Sequence, residues 1–461
     1  MLILRDGWIV SGDGESEPLS GSVLVEGGRI AAVEARSYSG GLDDQVIDLH
    51  GSLVMPGAVD VHAHAVAPGP RFASGTPGVS LEEAMGNLRR HMAQGHTTVV
   101  DLDGFKVPSE TAEVRSRQPV RVESATVHFD PMWAVADATD GTGLSPMNRE
   151  MTAAAMAEQG ACVIGEVGAG MTLGGGGQDY MYIPAAIYAA TGRRLRAREA
   201  AALKYAVLGR HVKPGSPDRK LLKKLLLELR LSQKLTVDGV VKIIEDSVLP
   251  PFRGALEGIV KAAQVANELG LPALVHNSAP SDEACREAAV IAGSNLIAGH
   301  TNHGTFTRDE AIASATWMKQ HEAYVEVNTF DSWGLRELEP SSAMLLALVG
   351  RGLADIIATD YAAGHWDGVY EAVEDIWRSG AQPLKTAVAM ATGNVAKAVP
   401  RIGGSRGLLR AGYLADLVVS HSRHPSLISL VVIGGEVVFE PVEPVPYTRE
   451  APRHLGRPIP N

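Results

Sequence analysis

Eight short apolar runs, separated by helical stretches, constrain this chain more than any other feature. They are GAVDVHAHA, TTVVDLD, VRVESATVHF, CVIGEVG, PALVHNS, NLIAGHT, AYVEVNTF and DIIATDYA. Between them lie segments such as LEEAMGNLRRHMAQ, ALEGIVKAAQVANELG and SSAMLLALVGRG. Gly270 and Gly352 are placed to end helices just before the next run. Strand and helix in regular alternation predict a parallel sheet, and eight such units predict a (β/α)8 barrel of the TIM type. A doubly wound open sheet is the alternative, but no Gly-x-Gly-x-x-Gly follows a first strand.

The two ends have a different texture. LILRDGWIV, GSVLVEGGRIAAVEA and QVIDLHGSLVM read as strands, with Gly27-Gly28 as a hairpin turn. ADLVVS and SLVVIGGEVVFE repeat the pattern near the C-terminus, where Gly434-Gly435 marks a second hairpin. Each set alone is too small to bury a core. One small β-sandwich domain built from residues 1–55 and 400–461 is therefore expected, with the barrel over 56–399.

One connection inside the barrel is too long. About a hundred residues separate CVIGEVG from PALVHNS, where a βα unit needs roughly thirty. The insertion, at about 172–250, begins in the run GMTLGGGGQ and carries Arg193, Arg194, Arg196, Arg198, Lys220, Lys223, Lys224 and Arg230. It reads as a solvated helical excursion or an oligomer contact. The sharper reading is a mobile lid whose basic groups meet an acidic substrate.

Composition narrows the function. A net charge of −11 argues against nucleic acid as the main partner, because phosphate binding needs a basic surface. Cys162 and Cys285 are the only cysteines, so no disulfide framework is implied and a reducing compartment fits. MLILRDGWIV lacks the basic start and apolar core of a signal peptide, and no run approaches a membrane span. A soluble cytoplasmic protein that forms a homo-oligomer and acts on a small molecule is the expectation, with no membrane partner.

In such a barrel the chemistry sits at the C-terminal ends of the strands. Strand one ends with His62 and His64, which share a face because strand side chains alternate. Strand four presents Glu166, strand five His276, strand six His300 and strand eight Asp360. Singly, each histidine would more often be a satisfied core residue, and Asp360 a helix cap. Together they form a donor set for divalent metal. Asn277, Asn302, His303, Tyr361, His365 and Trp366 follow strands five, six and eight, and are candidates for substrate contact. His96 and His128 are given structural roles.

On these residues the chain resembles the amidohydrolase superfamily, whose metal-dependent hydrolases carry His-x-His on strand one. A bridging carboxylate on strand four, single histidines on strands five and six and an aspartate on strand eight complete that pattern. AMATGNVAKAVP followed by GLLRAGYLADLVV is similar to its C-terminal signature. Glu166 in CVIGEVG, where many relatives use a carboxylated lysine, is most like the enamidase group. The resemblance implies two divalent ions about 3.5–4 Å apart, bridged by Glu166 and a hydroxide. They would be zinc or, at one site, iron or manganese. His62, His64 and Asp360 would hold one ion, and His276 and His300 the other. Asp360 would carry the proton from the bridging hydroxide to the leaving nitrogen.

The expected activity is cleavage of a C–N bond in a cyclic amide or lactam-like ring. A deaminase acting on an amino-substituted heterocycle is the second reading. It is weakened because Ala279 stands three residues after His276, where such enzymes carry a glutamate. A non-catalytic scaffolding protein is the third, weakened because every ligand type is kept, and a hydrolase-like subunit of a larger complex is the fourth.

Overall fold

The structure is a computed structural model that describes residues 1–71, 78–140, 144–168, 178–329, 342–361 and 367–441. The N-terminal runs give β1 (Leu2–Ile9), β2 (Leu19–Glu26), β3 (Arg29–Glu34), β4 (Gln45–Asp48) and β5 (Leu53–Pro56). QVIDLHGSLVM holds two strands. His50 and Gly51 both take positive φ and break it, and β4 and β5 each pair parallel with β1.

All eight barrel runs form strands. They are β6 (Ala58–Ala63), β7 (His96–Asp101), β8 (Arg121–Thr126), β9 (Val163–Val167), β10 (Ala273–His276), β11 (Leu296–Gly299), β12 (Tyr324–Asn328) and β13 (Ile356–Ala358). Each pairs in parallel with the next, in sequence order. The barrel closes beyond β13. Asp360 donates its N–H to the His62 carbonyl (2.8 Å), and His64 donates to the Tyr361 carbonyl (2.7 Å).

Every residue of β6 and β9 is buried, as parallel strands covered on both faces must be. Val59, Val61, Val100, Leu102, Val163, Leu274, Ile297, Ile356 and Ala358 fill the lumen as a cluster separate from the helix-facing core. Val395, Val399 and Ile402 pack against them. Period-two alternation then decides what reaches the mouth. His276 follows Leu274 by two, and Asp360 follows Ala358 by two, so both continue the lumen face.

The C-terminal strands β14 (Leu417–His421), β15 (His424–Ile433) and β16 (Glu436–Phe439) join the N-terminal ones in a single sheet through β5. Leu4, Val23, Val54, Leu417 and Val432 share one core between them. The two glycine hairpins abut. A Cβ on Gly28 would stand 2.9 Å from the Gly434 carbonyl oxygen, and Gly28 has φ +75°, so only glycine fits there.

The long connection holds helices Ile183–Thr191, Ala197–Leu208, Arg219–Glu228 and Val237–Leu269. It is not a solvated excursion. Ile187, Leu203, Val207, Leu222, Leu226 and Ile244 are buried in the same cluster as the barrel's helix-facing core. Arg194, Arg196, Arg198, Lys220, Lys223, Lys224 and Arg230 stand exposed. Two groups clamp this region to the barrel mouth. Arg210 pairs with Glu310 (2.8 Å) and donates to the Thr305 carbonyl, and His211 Nδ1 lies 3.1 Å from the Ala279 carbonyl oxygen.

Candidate metal centre

Glu166, near the end of β9, is the hub of a buried cluster. Its Oε1 lies 2.8 Å from His276 Nδ1 and 3.2 Å from His300 Nε2. Its Oε2 faces His64 Nε2 at 3.5 Å and His62 Nε2 at 3.7 Å. Asp360 Oδ1 completes the second side, 3.4 Å from His62 Nε2 and 3.7 Å from His64 Nε2. The structure thus brings all six candidate ligands together, and the two oxygens of one carboxylate divide the histidines into pairs. His64 and Asp360 are each 14% exposed, whereas Glu166, His62, His276 and His300 are buried. The cluster therefore opens on the His64–Asp360 side.

Backbone strain marks the same place. His300 and Asp360 take φ of +33° and +49°, and Ala65, next to His64, takes +58°. Left-handed conformations in non-glycine residues cost about 1–3 kcal/mol each and persist only where surrounding contacts impose them.

A further layer of carboxylates orients the first histidine pair. Buried Glu326, on β12, accepts from His62 Nδ1 (3.0 Å) and from the His300 backbone N–H (3.1 Å). Asp103 accepts from His64 Nδ1 (3.1 Å), from the Ala65 N–H (3.0 Å) and from Lys106 Nζ (2.6 Å). A proton held at Nδ1 leaves the Nε2 lone pair of each ring pointed at Glu166 and Asp360. Asn328 donates to Asp360 Oδ2 (3.3 Å) and fixes that carboxylate from the other side. Sequence reasoning missed Glu326, Asp103 and Asn328. Glu326 had a signal: an acid between Val325 and Val327 in a buried strand must face the lumen. Asp103 had a weaker one, lying just beyond the end of β7.

Electrostatics separates the pairs. Burial disfavours charge on His64, yet its bonds to Asp103 and Glu166 push its pKa up to about 10. His62 is likewise held well above its ordinary value, burial being outweighed by Glu326, Asp360 and Glu166. His276 goes the other way: burial and the neighbouring His300 bring it down to about 4. Burial would raise Glu166, but the four histidines around it hold it well below the carboxylate range. Asp360 is raised by burial, against the pull of His62 and His300.

Such a site demands positive charge. The carboxylates of Asp101, Asp103, Glu166, Glu326 and Asp360 gather there, and among the described residues Lys106 is the one fixed cation bonded to them. Among the described residues, His62 Nε2 is buried without a hydrogen-bond partner. Single donor atoms of His62, Glu166 and His300, and of His62, His64 and Asp360, lie within 4.8 Å of one another. Imidazole and carboxylate donors in this arrangement fit divalent transition metals.

The softer candidates divide. Asn277 turns away from the mouth, donating to Thr301 Oγ1 (3.1 Å) and Ser314 Oγ (3.0 Å). Asn302 is spent on the backbone of Asn328, accepting its N–H (2.9 Å) and donating to its carbonyl (3.1 Å). The Tyr361 hydroxyl donates to Asn87 Oδ1 (2.7 Å). His303 stays at the mouth, its ring centroid 5.2 Å from those of His276 and His300. His365 and Trp366 lie outside the described residues.

A second buried group, Asp60, His91 and His96, also places donor atoms together. There Asp60 accepts the N–H groups of His62 (3.2 Å) and Thr359 (3.1 Å), which ties β6 to the strand that closes the barrel. His96 Nδ1 donates to the His91 carbonyl (3.0 Å), and His128 Nδ1 lies 2.9 Å from Thr126 Oγ1.

No family model matches the chain. In sequence it is similar to a dihydroorotase from Thermus aquaticus, 29% identical over 147 residues, which are 32% of this chain and 31% of that protein. The chain thus spans about a third of the length of the curated relatives it matches. In structure it is similar to a prolidase complexed with N-methylphosphonate-L-proline: TM-score 0.54, 16% identity, 95% of this chain and all of that one. It is also similar to enamidase, described as a member of the amidohydrolase superfamily: TM-score 0.50, 18% identity, 95% of this chain and 96% of that one. At such identities the structures speak to fold alone. Among the described residues, no helix is long and apolar enough to cross a membrane. The solved structures share this chain's fold, and the curated relatives are similar to it over about a third of its length.

Proposed function

We propose that this protein is a metal-dependent hydrolase that opens the C–N bond of a cyclic amide or lactam-like ring. The observation that carries the reading is Glu166, whose two oxygens face two separate histidine pairs. In this reading His62, His64 and Asp360 would hold one divalent ion, zinc by preference, and His276 and His300 a second, with Glu166 as a ligand between the two histidine pairs. When bound, the ions activate water as a nucleophile and polarise the substrate carbonyl. Asp360 is the residue placed to move a proton, because it is partly open to solvent and burial raises its pKa. Asn328 holds Oδ2 and Oδ1 faces the histidines, so the Asp360 carboxylate is fixed where it can take a proton from water and pass it to the leaving nitrogen.

The ring class draws support from the sequence relatives named dihydroorotase, since dihydroorotate is a cyclic amide. Deamination is disfavoured because Ala279 occupies the position where an acid would be needed, its N–H spent on Thr305 Oγ1. A cytoplasmic location fits the two cysteines, Cys162 and Cys285, both buried and unbridged. We take the substrate to be a small molecule and the working form to be a homo-oligomer. The test is elemental analysis of the purified protein together with a panel of lactams, cyclic imides and amino-heterocycles. Two ions per chain and ring opening support the reading. A single ion with ammonia released from an amino-heterocycle overturns it.

A further inference from the structure

A cavity of about 520 Å³, a volume suited to a small organic ligand, lies between the insertion and the loop after β11. Tyr180, Arg198 and Tyr205 line it from the insertion, and His303 and Thr305 from the barrel. His303 touches the rings of His276 and His300, so the cavity reaches to within one side chain of the metal centre.

Its charge is unbalanced. Asp179 also lines it, but that carboxylate is taken by buried Lys204 at 2.8 Å. Glu199, next to Arg198 in the chain, caps its own helix through the Arg196 N–H (2.8 Å) and lies 3.9 Å from Arg193. Arg198 keeps its guanidinium exposed at the cavity wall, and no ion pair joins it to any described residue. Two tyrosine rings and the alanines of the Ala197–Leu208 helix supply the apolar remainder.

We infer that the insertion forms a substrate pocket in which Arg198 binds a carboxylate carried by the ring to be opened. This rests on the cyclic-amide reading and adds the substrate's charge to it. A guanidinium–carboxylate pair is bidentate and charge-assisted, which gives selectivity over an uncharged ring.

The test compares dihydroorotate with dihydrouracil, the same ring with and without a carboxylate, on the full metal-loaded chain. In R198M the ratio of kcat/KM for the two should fall by about 10–100-fold, carried by KM. R198K should recover part of it. Equal loss on both rings, or an unchanged ratio, overturns the inference while leaving ring opening intact. Calorimetric titration of dihydroorotate separates the other failure. Binding that R198M weakens without any hydrolysis keeps the pocket and removes the proposed reaction. Absence of both binding and hydrolysis in the wild type overturns the pocket as well.

Discussion

The two halves of the candidate metal centre are braced in different ways. On the β6 side, His62 and His64 each give Nδ1 to a carboxylate of their own, Glu326 and Asp103. On the β10–β11 side, the rings of His276 and His300 share one carboxylate, Glu166, and among the described residues their other ring nitrogens are buried without hydrogen-bond partners. That side is held from outside, by the insertion's Arg210 and His211 on the loops that follow β10 and β11. One half is thus oriented before any ion arrives, and the other depends on the shared carboxylate. The contrast predicts an asymmetry in affinity: the ion beside Asp360 should bind first and leave last.

Removing the shared group is the strongest challenge to this picture. Glu166→Gln should cost kcat/KM on the order of 10³-fold and release the ion at His276 and His300 first, read by elemental analysis beside a rate assay. Full activity with both ions retained would end the hub role. Next comes His276→Ala set against His62→Ala. The first should leave a protein that keeps a single tightly held ion, whereas the second should lose both. Equal metal loss from the two variants would contradict the asymmetry.

Glu326→Gln and Asp103→Asn probe the bracing itself. Each should weaken metal affinity by about 10–100-fold, measured by competition with a chelator, because the ring loses its fixed tautomer. The smallest effect concerns the outer clamp. Arg210 and the helix cap at Thr307 hold the Glu310 pKa down at about 2, against an ordinary value of 4.5. The clamp therefore stabilises fully above pH 4.5 and is lost as pH falls toward about 2. Being half-exposed, it is worth less than about 1 kcal/mol. Glu310→Gln should flatten the acid side of the thermal-stability profile by that amount, and an unchanged profile would remove the clamp from the account.

Much of this was legible in the sequence, for a local reason. Barrel strands are short, apolar and buried on both faces, so they read as eight discrete runs. The residue that follows each run falls at the mouth by chain geometry alone. His62, His64, Glu166, His276, His300 and Asp360 were found in that way. Asn277, Asn302 and Tyr361 obey the same rule of position yet turn to Ser314, Asn328 and Asn87, because the loop backbone decides where a side chain points. The insertion misled for a related reason. Its basic residues are conspicuous in the sequence, while the apolar face that joins the barrel core is scattered over four helices.

The sequence by itself determined the order of the strands, the glycine hairpins that join the two ends, and the six donors at the mouth, since each follows from a period or spacing within one segment. Tertiary structure decided that Glu326 would hold His62 across 264 positions of chain and Asp103 would hold His64. It also decided which oxygen of Glu166 faces which pair, and that Arg198 borders a cavity. These are distances between segments, fixed only when the barrel closes and the insertion packs onto it, and no local pattern encodes them.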